Sequence, residues 1–161
     1  MDMSMFTGFE GRINRAKWWL GAIILLVVGV IIAMILSAIL GASMWGGATV
    51  APDGTITYDL SVLRLAAIAQ LITFVIVVYP WLSLTTKRLN DRDRPRALAY
   101  VFLLPSVLSI LVGLLGLATM TSIAWLTTLI TLAIGIWALV ELGILKGTTG
   151  PNANGPDPLG A

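Results

Sequence analysis

An all-α membrane protein, built as a four-transmembrane-helix bundle with both termini on one side, is the fold class this sequence predicts. Three observations carry that expectation. Of 161 residues, 58% are hydrophobic and only 11% charged, with a mean hydropathy of +0.95. A soluble domain carries about 25% charged residues, so a water-soluble fold would lack a polar face. Four long apolar runs divide the chain, each close to the roughly 20 residues needed to cross about 30 Å of hydrocarbon. The basic residues gather at the ends of those runs rather than spreading along them. A chain of this length fits one compact domain.

Residues 1–17 form a short interfacial segment on the cytoplasmic side. The first helix is expected over about Trp18–Leu40, and the pair Trp18-Trp19 suits a headgroup-level aromatic belt. No cleavable signal peptide is evident, because the run is too long for a signal core and lacks a convincing small-residue site after it. It reads as a retained signal anchor. The connection Gly41 to Ser61 holds the turn-prone Ala51-Pro52-Asp53-Gly54 and two acids, Asp53 and Asp59. Its glycines between Gly41 and Gly47 lack a following Lys-Ser/Thr and do not read as a phosphate loop. The second helix is expected over Val62–Leu84, the third over Ala97–Leu117 and the fourth over Ile123–Leu145, with Pro80 and Pro105 as kink sites. The link Ala118 to Ser122 is so short that the last two helices should form an antiparallel hairpin. Residues 146–161 make a cytoplasmic tail.

Between the second and third runs lies Lys87-Arg88-Leu89-Asn90-Asp91-Arg92-Asp93-Arg94-Pro95-Arg96, with five of the ten basic residues and two of the eight acidic ones. With four spans this island falls on the same side as Arg12, Arg15, Lys17 and Lys146, leaving only Arg64 opposite. The excess of Lys and Arg in cytoplasmic loops then places the island and both termini in the cytoplasm. Along the first helix Gly21, Gly29, Ala33, Ser37 and Gly41 share a four-residue spacing that lets another backbone approach. Thr127, Thr131 and Gly135 repeat it on the fourth, and Ala66 and Gln70 on the second. Packing within the chain and dimerisation both fit such stripes.

The absence of cysteine removes disulfides, thiol catalysis and Cys-ligated metals, and the absence of histidine removes the commonest general base and metal ligand. The serines have no histidine to activate them, and the aspartates lack metal-ligand spacing. No cofactor or metal is implied, and catalysis is not expected. Nucleic-acid binding is not expected either, because no interleaved aromatics support stacking.

Three polar segments share the cytoplasmic side: Phe9 to Trp19, Lys87 to Asp91, and Gly150 to Pro158. They resemble the signature motifs of the domain-of-unknown-function family 805, small bacterial inner-membrane proteins. The family pattern reads Gly-Arg-Ile-x-Arg-x-x-(aromatic)-Trp, then Arg-Arg-Leu-His-Asp, then Asn-x-(Tyr/Phe)-Gly-Pro-Asp-Pro. Gly11, Arg12, Arg15 and Trp19 match the first motif, Arg88, Leu89 and Asp91 the second, and Asn152, Gly155, Pro156, Asp157 and Pro158 the third. The resemblance spans nearly the whole chain and implies a bacterial inner-membrane location, but no reaction. Asn90 stands where the family usually has histidine, and Asp93 to Ala97 replaces a Gly-Trp-containing turn. Any histidine-dependent activity of the family should be missing here.

Chemistry gives these residues reasons to meet. Arg12 and Arg15 would share one face of a short interfacial helix, and Arg88 and Asp91 are also three apart. A guanidinium matches a carboxylate with its planar fork, so Asp91 and Asp157 are the expected partners of Arg12, Arg15 or Arg88. A latch closing the cytoplasmic end and a site for an anion or lipid headgroup both follow from such a cluster. The stretch from Arg92 to Arg96 reads as topological charge alone. Within the apolar runs, Arg64 should snorkel to the outer surface beside Asp59, and Glu141 should pair with Lys146 or an arginine of the island. The leading functional expectation is a non-enzymatic membrane module that binds a partner protein or anionic lipid headgroups. A homo-oligomer or a membrane-protein partner fits as well. The alternative is an oligomeric transporter of a small solute or lipid, which needs polar residues lining the whole bilayer depth.

Overall fold

The computed structural model describes residues 3–41 and 48–160. After a turn of 3₁₀ helix at Met3–Phe6, helix α1 runs over Arg15–Leu40. It begins at Arg15 rather than Trp18 because Asn14 caps it, accepting a 2.9 Å hydrogen bond from the Lys17 backbone N–H. The interfacial helix that would align Arg12 with Arg15 is therefore absent: residues 7–14 are irregular and Arg15 opens α1. Gly41 ends α1 in the left-handed region at φ 67°, with its N–H on the Ser37 carbonyl.

The all-α expectation needs one correction. Strands β1 (Ala48–Val50) and β2 (Ile56–Tyr58) form an exposed antiparallel ribbon, with Val50 opposite Ile56. β-branched Thr49, Val50, Ile56 and Thr57 flank the Ala51-Pro52-Asp53-Gly54 turn, where Gly54 donates to the Ala51 carbonyl at 2.9 Å. Most of the glycine-containing stretch from Gly41 to Gly47 (residues 42–47) lies outside the described residues.

Helix α2 spans Leu60–Asp91 and is unbroken through Pro80. It continues past Leu84, so the first half of the charged island is the end of a helix and not a loop. Asp59 caps its start, accepting from the Ser61 backbone N–H at 2.8 Å. That use of the carboxylate corrects the expected pairing with Arg64, which is exposed and makes no ion pair among the described residues.

The third apolar run is not one helix. It divides into α3 (Leu98–Val101) and α4 (Leu104–Leu114), because Pro105 has no N–H to extend the preceding turn and instead sits in the first turn of α4. Helix α5 (Thr121–Ala138) follows a 3₁₀ turn and passes into a π-helix at Leu139–Ile144. Three helices, Arg15–Leu40, Leu60–Asp91 and Thr121–Ile144, are long and apolar enough to cross a membrane. Leu98–Leu114 is apolar but shorter, about 25 Å at ~1.5 Å per residue.

The helices pack in chain order, α1 on α2, α2 on α4 and α4 on α5, and the π-helical end returns to α1. Of the small residues of α1, Gly21 serves this packing closely, while Gly29 and Ala33 line an open groove between α1, α2 and α4. A Cβ added at Gly21 would lie 2.6 Å from Leu84, and one at Gly29 3.9 Å from Val77. Gly113 admits Ala67 of α2 in the same way, with 2.8 Å to its Cβ. The buried core gathers at one end, where Met5, Phe6, Trp18, Leu84, Leu89, Phe102 and Leu142 meet. No residue of Thr121–Ala138 is buried.

Candidate functional site

At that same end the polar sequence folds inward. The N-terminal segment lies along the last turns of α2, because Met5 and Phe6 are buried in the core and polar groups of α2 take its carbonyls. Ser83 donates to the carbonyls of Gly8 at 2.5 Å and Met5 at 3.3 Å. The Lys87 ammonium donates to the carbonyls of Ser4 and, at 2.8 Å, Thr7. Asn90 donates to the carbonyls of Phe9 at 3.1 Å and Gly11 at 2.9 Å. These bonds bring Arg12 to Asp91.

Asp91 is the hub. Its Oδ1 accepts from Arg12 Nε at 3.2 Å and Nη2 at 3.1 Å, and its Oδ2 pairs with Arg88, one helical turn before it. The side chains of Arg12, Arg88 and Asp91 are 1%, 1% and 4% exposed. Two guanidiniums against one carboxylate leave a surplus positive charge in a buried place, which costs heavily unless dipoles oppose it. Backbone carbonyls supply them. Arg12 Nη2 donates to Thr148 O at 2.7 Å, and Nη1 to Gly150 O at 2.7 Å and Gly155 O at 3.3 Å. With Asp91 included, all five N–H donors of Arg12 have acceptors.

Arg88 works on the other side of the hub, at the end of the last helix. The final carbonyls of a helix have no partner within it and carry its negative dipole end. Here five carbonyls in succession, three in the last helical turn and two just past its end, are taken by side chains. Arg88 donates to Leu142 O at 2.8 Å and Leu145 O at 2.5 Å, Trp19 to Gly143 O at 3.1 Å, Arg15 to Ile144 O at a long 3.4 Å, and Arg92 to Lys146 O at 2.6 Å. Arg15 and Trp19 of the first motif thus cap the last helix, and neither reaches a carboxylate. Gly143 is needed for this approach, since a Cβ there would lie 2.9 Å from the Trp19 ring.

The tail closes the arrangement. Thr148 donates through N at 2.8 Å and Oγ1 at 3.1 Å to Asp91 O. Asn152 Nδ2 donates to Asn90 O at 2.9 Å, and its backbone pairs with Gly155. Among the described residues Asp157 is not an ion-pair partner of any arginine, contrary to expectation. Its carboxylate organises the tail itself, accepting from Leu159 N–H at 2.9 Å and Gly150 N–H at 2.9 Å. Those two donors, aided by the nearby Arg12 charge, hold its pKa below the ordinary aspartate range.

A second carboxylate repeats the theme. Glu141, in the π-helix, accepts from Arg92 Nε at 3.1 Å and Arg94 Nε at 3.0 Å. Its partners come from the island, and Lys146 is not among them. Arg96 donates to Asn90 Oδ1 at 3.0 Å and Asn154 Oδ1 at 3.1 Å and lies 3.4 Å from Glu10. The stretch from Arg92 to Arg96 is therefore part of the cluster, which corrects its reading as topological charge alone. The turn there bends through Asp93 at φ 53°.

Sequence reading missed Gly147, where an added Cβ would fall 2.1 Å from Asp91 Oδ2. Ser83 and Thr148 lie outside the three motifs and carry no sequence signal, and Lys87 lies in the second motif segment with no role that its sequence assigns. Asn90 was marked only as a departure. Its amide both donates to the N-terminal segment and accepts from Arg96, a double role suited to the basic turn that accompanies it.

No curated protein and no solved structure matches the chain. A family model described as "Protein of unknown function (DUF805)" matches residues 6–156. That match takes in the N-terminal segment, every helix, the hub at Asp91 and the tail through Pro156, and the chain belongs to this family of proteins of unknown function.

Proposed function

We propose that this is a non-enzymatic module of the bacterial inner membrane that crosses the bilayer four times, keeps both termini in the cytoplasm, and binds anionic lipid headgroups around its polar cap. Nine of the ten basic residues belong to the cap end, with Arg64 near the other end of α2. Such an excess supports a cytoplasmic cap. For the third crossing, α3 and α4 together supply the apolar length, with the cap covering the ends of the neighbouring helices.

One observation carries the binding reading. After the internal pairs are made, Arg15, Lys17 and Lys146 remain exposed, with no carboxylate at ion-pair distance among the described residues. They lie at the cap ends of α1 and α5, where a headgroup layer would sit. Each such cation near an anionic leaflet is worth about 1 kcal/mol. Arg12 and Arg88, by contrast, are consumed by the latch, so they position the rim and do not present it. The non-enzymatic reading draws support from both buried carboxylates, each engaged by two arginines and so not presented to a substrate. The carrier alternative draws less support, because the polar side chains between the helices (Gln70, Ser106, Ser109 and the α5 threonines) occupy part of the depth only.

The test is mass spectrometry of lipids retained in detergent-free native discs, comparing wild type with the combined Arg15→Ala, Lys17→Ala and Lys146→Ala variant. Anionic headgroups should be enriched over the surrounding bilayer in wild type, with enrichment falling about fivefold per cation removed. Equal enrichment in the variant, or an acidic protein copurifying in fixed ratio in place of lipid, would overturn the reading.

A further inference from the structure

At the end of the bundle away from the cap, the chain between α1 and α2 makes the ribbon of β1 and β2. All six residues of the two strands are exposed, so nothing among the described residues covers either face. The faces differ. The pairs Val50–Ile56 and Ala48–Tyr58 project to one side, because side chains alternate along a strand and directly opposed residues share a face. The pair Thr49–Thr57 projects to the other, its hydroxyls bonded to each other at 2.6 Å. A lone two-stranded ribbon is marginal in water, so this one needs a partner on its apolar side.

Tether, depth and charge select that partner. Only Asp59 separates β2 from Leu60, the first residue of α2, so the base of the ribbon stays at the helix end. Every residue of α2 from Ser83 to Asp91 is buried in the cap. Counted outward from Leu82, the roughly 20 residues that cross the hydrocarbon end near Leu63. Leu60 then stands about 5 Å beyond the hydrocarbon at ~1.5 Å per residue, inside the headgroup layer, with Tyr58 beside it. Arg64 gives the same level independently. It is exposed, one turn inside Leu60, and no carboxylate among the described residues lies at ion-pair distance. From there a guanidinium snorkels outward to phosphates. Asp53, exposed at the turn and accepting from Thr55 N–H at 3.0 Å, keeps the tip of the ribbon hydrated and stops it from sinking deeper.

We propose that the ribbon lies flat on the leaflet opposite the cap, with Val50, Ile56 and Tyr58 among the upper acyl chains, Thr49 and Thr57 turned to water, and Arg64 on lipid phosphates at its base. A tyrosine at this level suits the interface. The bundle is then held at both surfaces, by cations at the cap and by an apolar ribbon at the other end. This rests on the membrane crossing of α1 and α2 proposed above and is independent of headgroup binding at the cap.

The chain has no cysteine, so single nitroxide labels report each position in vesicles of phosphatidylethanolamine and phosphatidylglycerol. Oxygen, which concentrates in hydrocarbon, and a nickel chelate, which stays in water, serve as the two relaxing agents. Labels at Val50→Cys and Ile56→Cys should favour oxygen over chelate by about threefold relative to labels at Thr49→Cys and Thr57→Cys, as a face set about 5–10 Å into the interface requires. Combining Val50→Thr with Ile56→Thr keeps β-branching in the strands and should carry a label at Tyr58→Cys into water. A label at Val75→Cys, exposed midway along α2, reports the crossing itself and should favour oxygen. If it favours the chelate, the membrane crossing fails and the ribbon's insertion with it. If it favours oxygen while the labels at Val50 and Ile56 match those at Thr49 and Thr57, or are shielded from both agents as a protein partner would shield them, the ribbon proposal alone is overturned.

Discussion

The polar cap and the outer wall of α5 follow opposite burial rules. Near the cap, Arg88 is 0% exposed and Asp91 3%, while on the outer surface of α5 Leu129 is 60% exposed and Trp125 65%. A soluble protein reverses this arrangement. The difference teaches what each region must solve. Hydrocarbon accepts an exposed leucine at no cost, so helices there need only satisfy their own backbone. At the polar end the ends of three elements and two terminal segments present free carbonyls, and the arginines are buried because those carbonyls need donors. The cap is dense and specific, and the α5 wall is loosely held.

The sharpest way to break this contrast is to remove the hub. Asp91→Ala leaves two buried guanidiniums without their carboxylate, a loss of about 3–5 kcal/mol, and should release both the N-terminal segment and the tail. Thermal unfolding in detergent and protease cleavage of the tail would show it, and wild-type protection would refute the hub. Arg12→Lys should cost about 2–3 kcal/mol, since an ammonium has three donors where the site uses five, and a point charge cannot grip Asp91 in a planar fork. The same tail cleavage reads the effect, with Arg15→Lys as the milder comparison.

Acid tests the carboxylate within the tail. Asp157 has a lowered pKa, so its stabilising bonds are complete above the ordinary aspartate pKa of about 3.9 and fade as pH falls through its lower folded value. Tail protection should therefore persist to about pH 4 and fail below it, and Asp157→Asn should remove that pH dependence. Smallest of all, Leu129→Ala on the exposed wall of α5 should change monomer stability by no more than about 0.5 kcal/mol. A large loss there would mean that the wall is covered within the chain.

Much of the site was legible because charge in an apolar chain is conspicuous. Arg12, Arg88 and Asp91 stood in motifs at separate points of the sequence, and their convergence follows from apolar helices returning the chain to one side. Asp157 was legible as a tail organiser only after folding, because a carboxylate near arginines in sequence space has no reason to prefer backbone N–H groups until the turn exists. Arg92 and Arg94 looked superfluous for a related reason. Their partner, Glu141, lies almost fifty residues on and reaches them only through the π-helical turn. Gly147 carried no signal at all, since its role is the space it leaves beside Asp91.

Composition and spacing by themselves determined a helical chain with apolar runs, a basic end and a polar turn between the first two helices. Hydrophobicity is a local sum, readable residue by residue. Tertiary structure alone decided that the basic island is half helix with all five of its cations engaged, that Pro105 divides its helix, and that Arg15 and Trp19 cap the last helix and leave the acids to others. Those outcomes depend on which carbonyls remain without donors when the helices end, and that is settled only when all the ends are brought together.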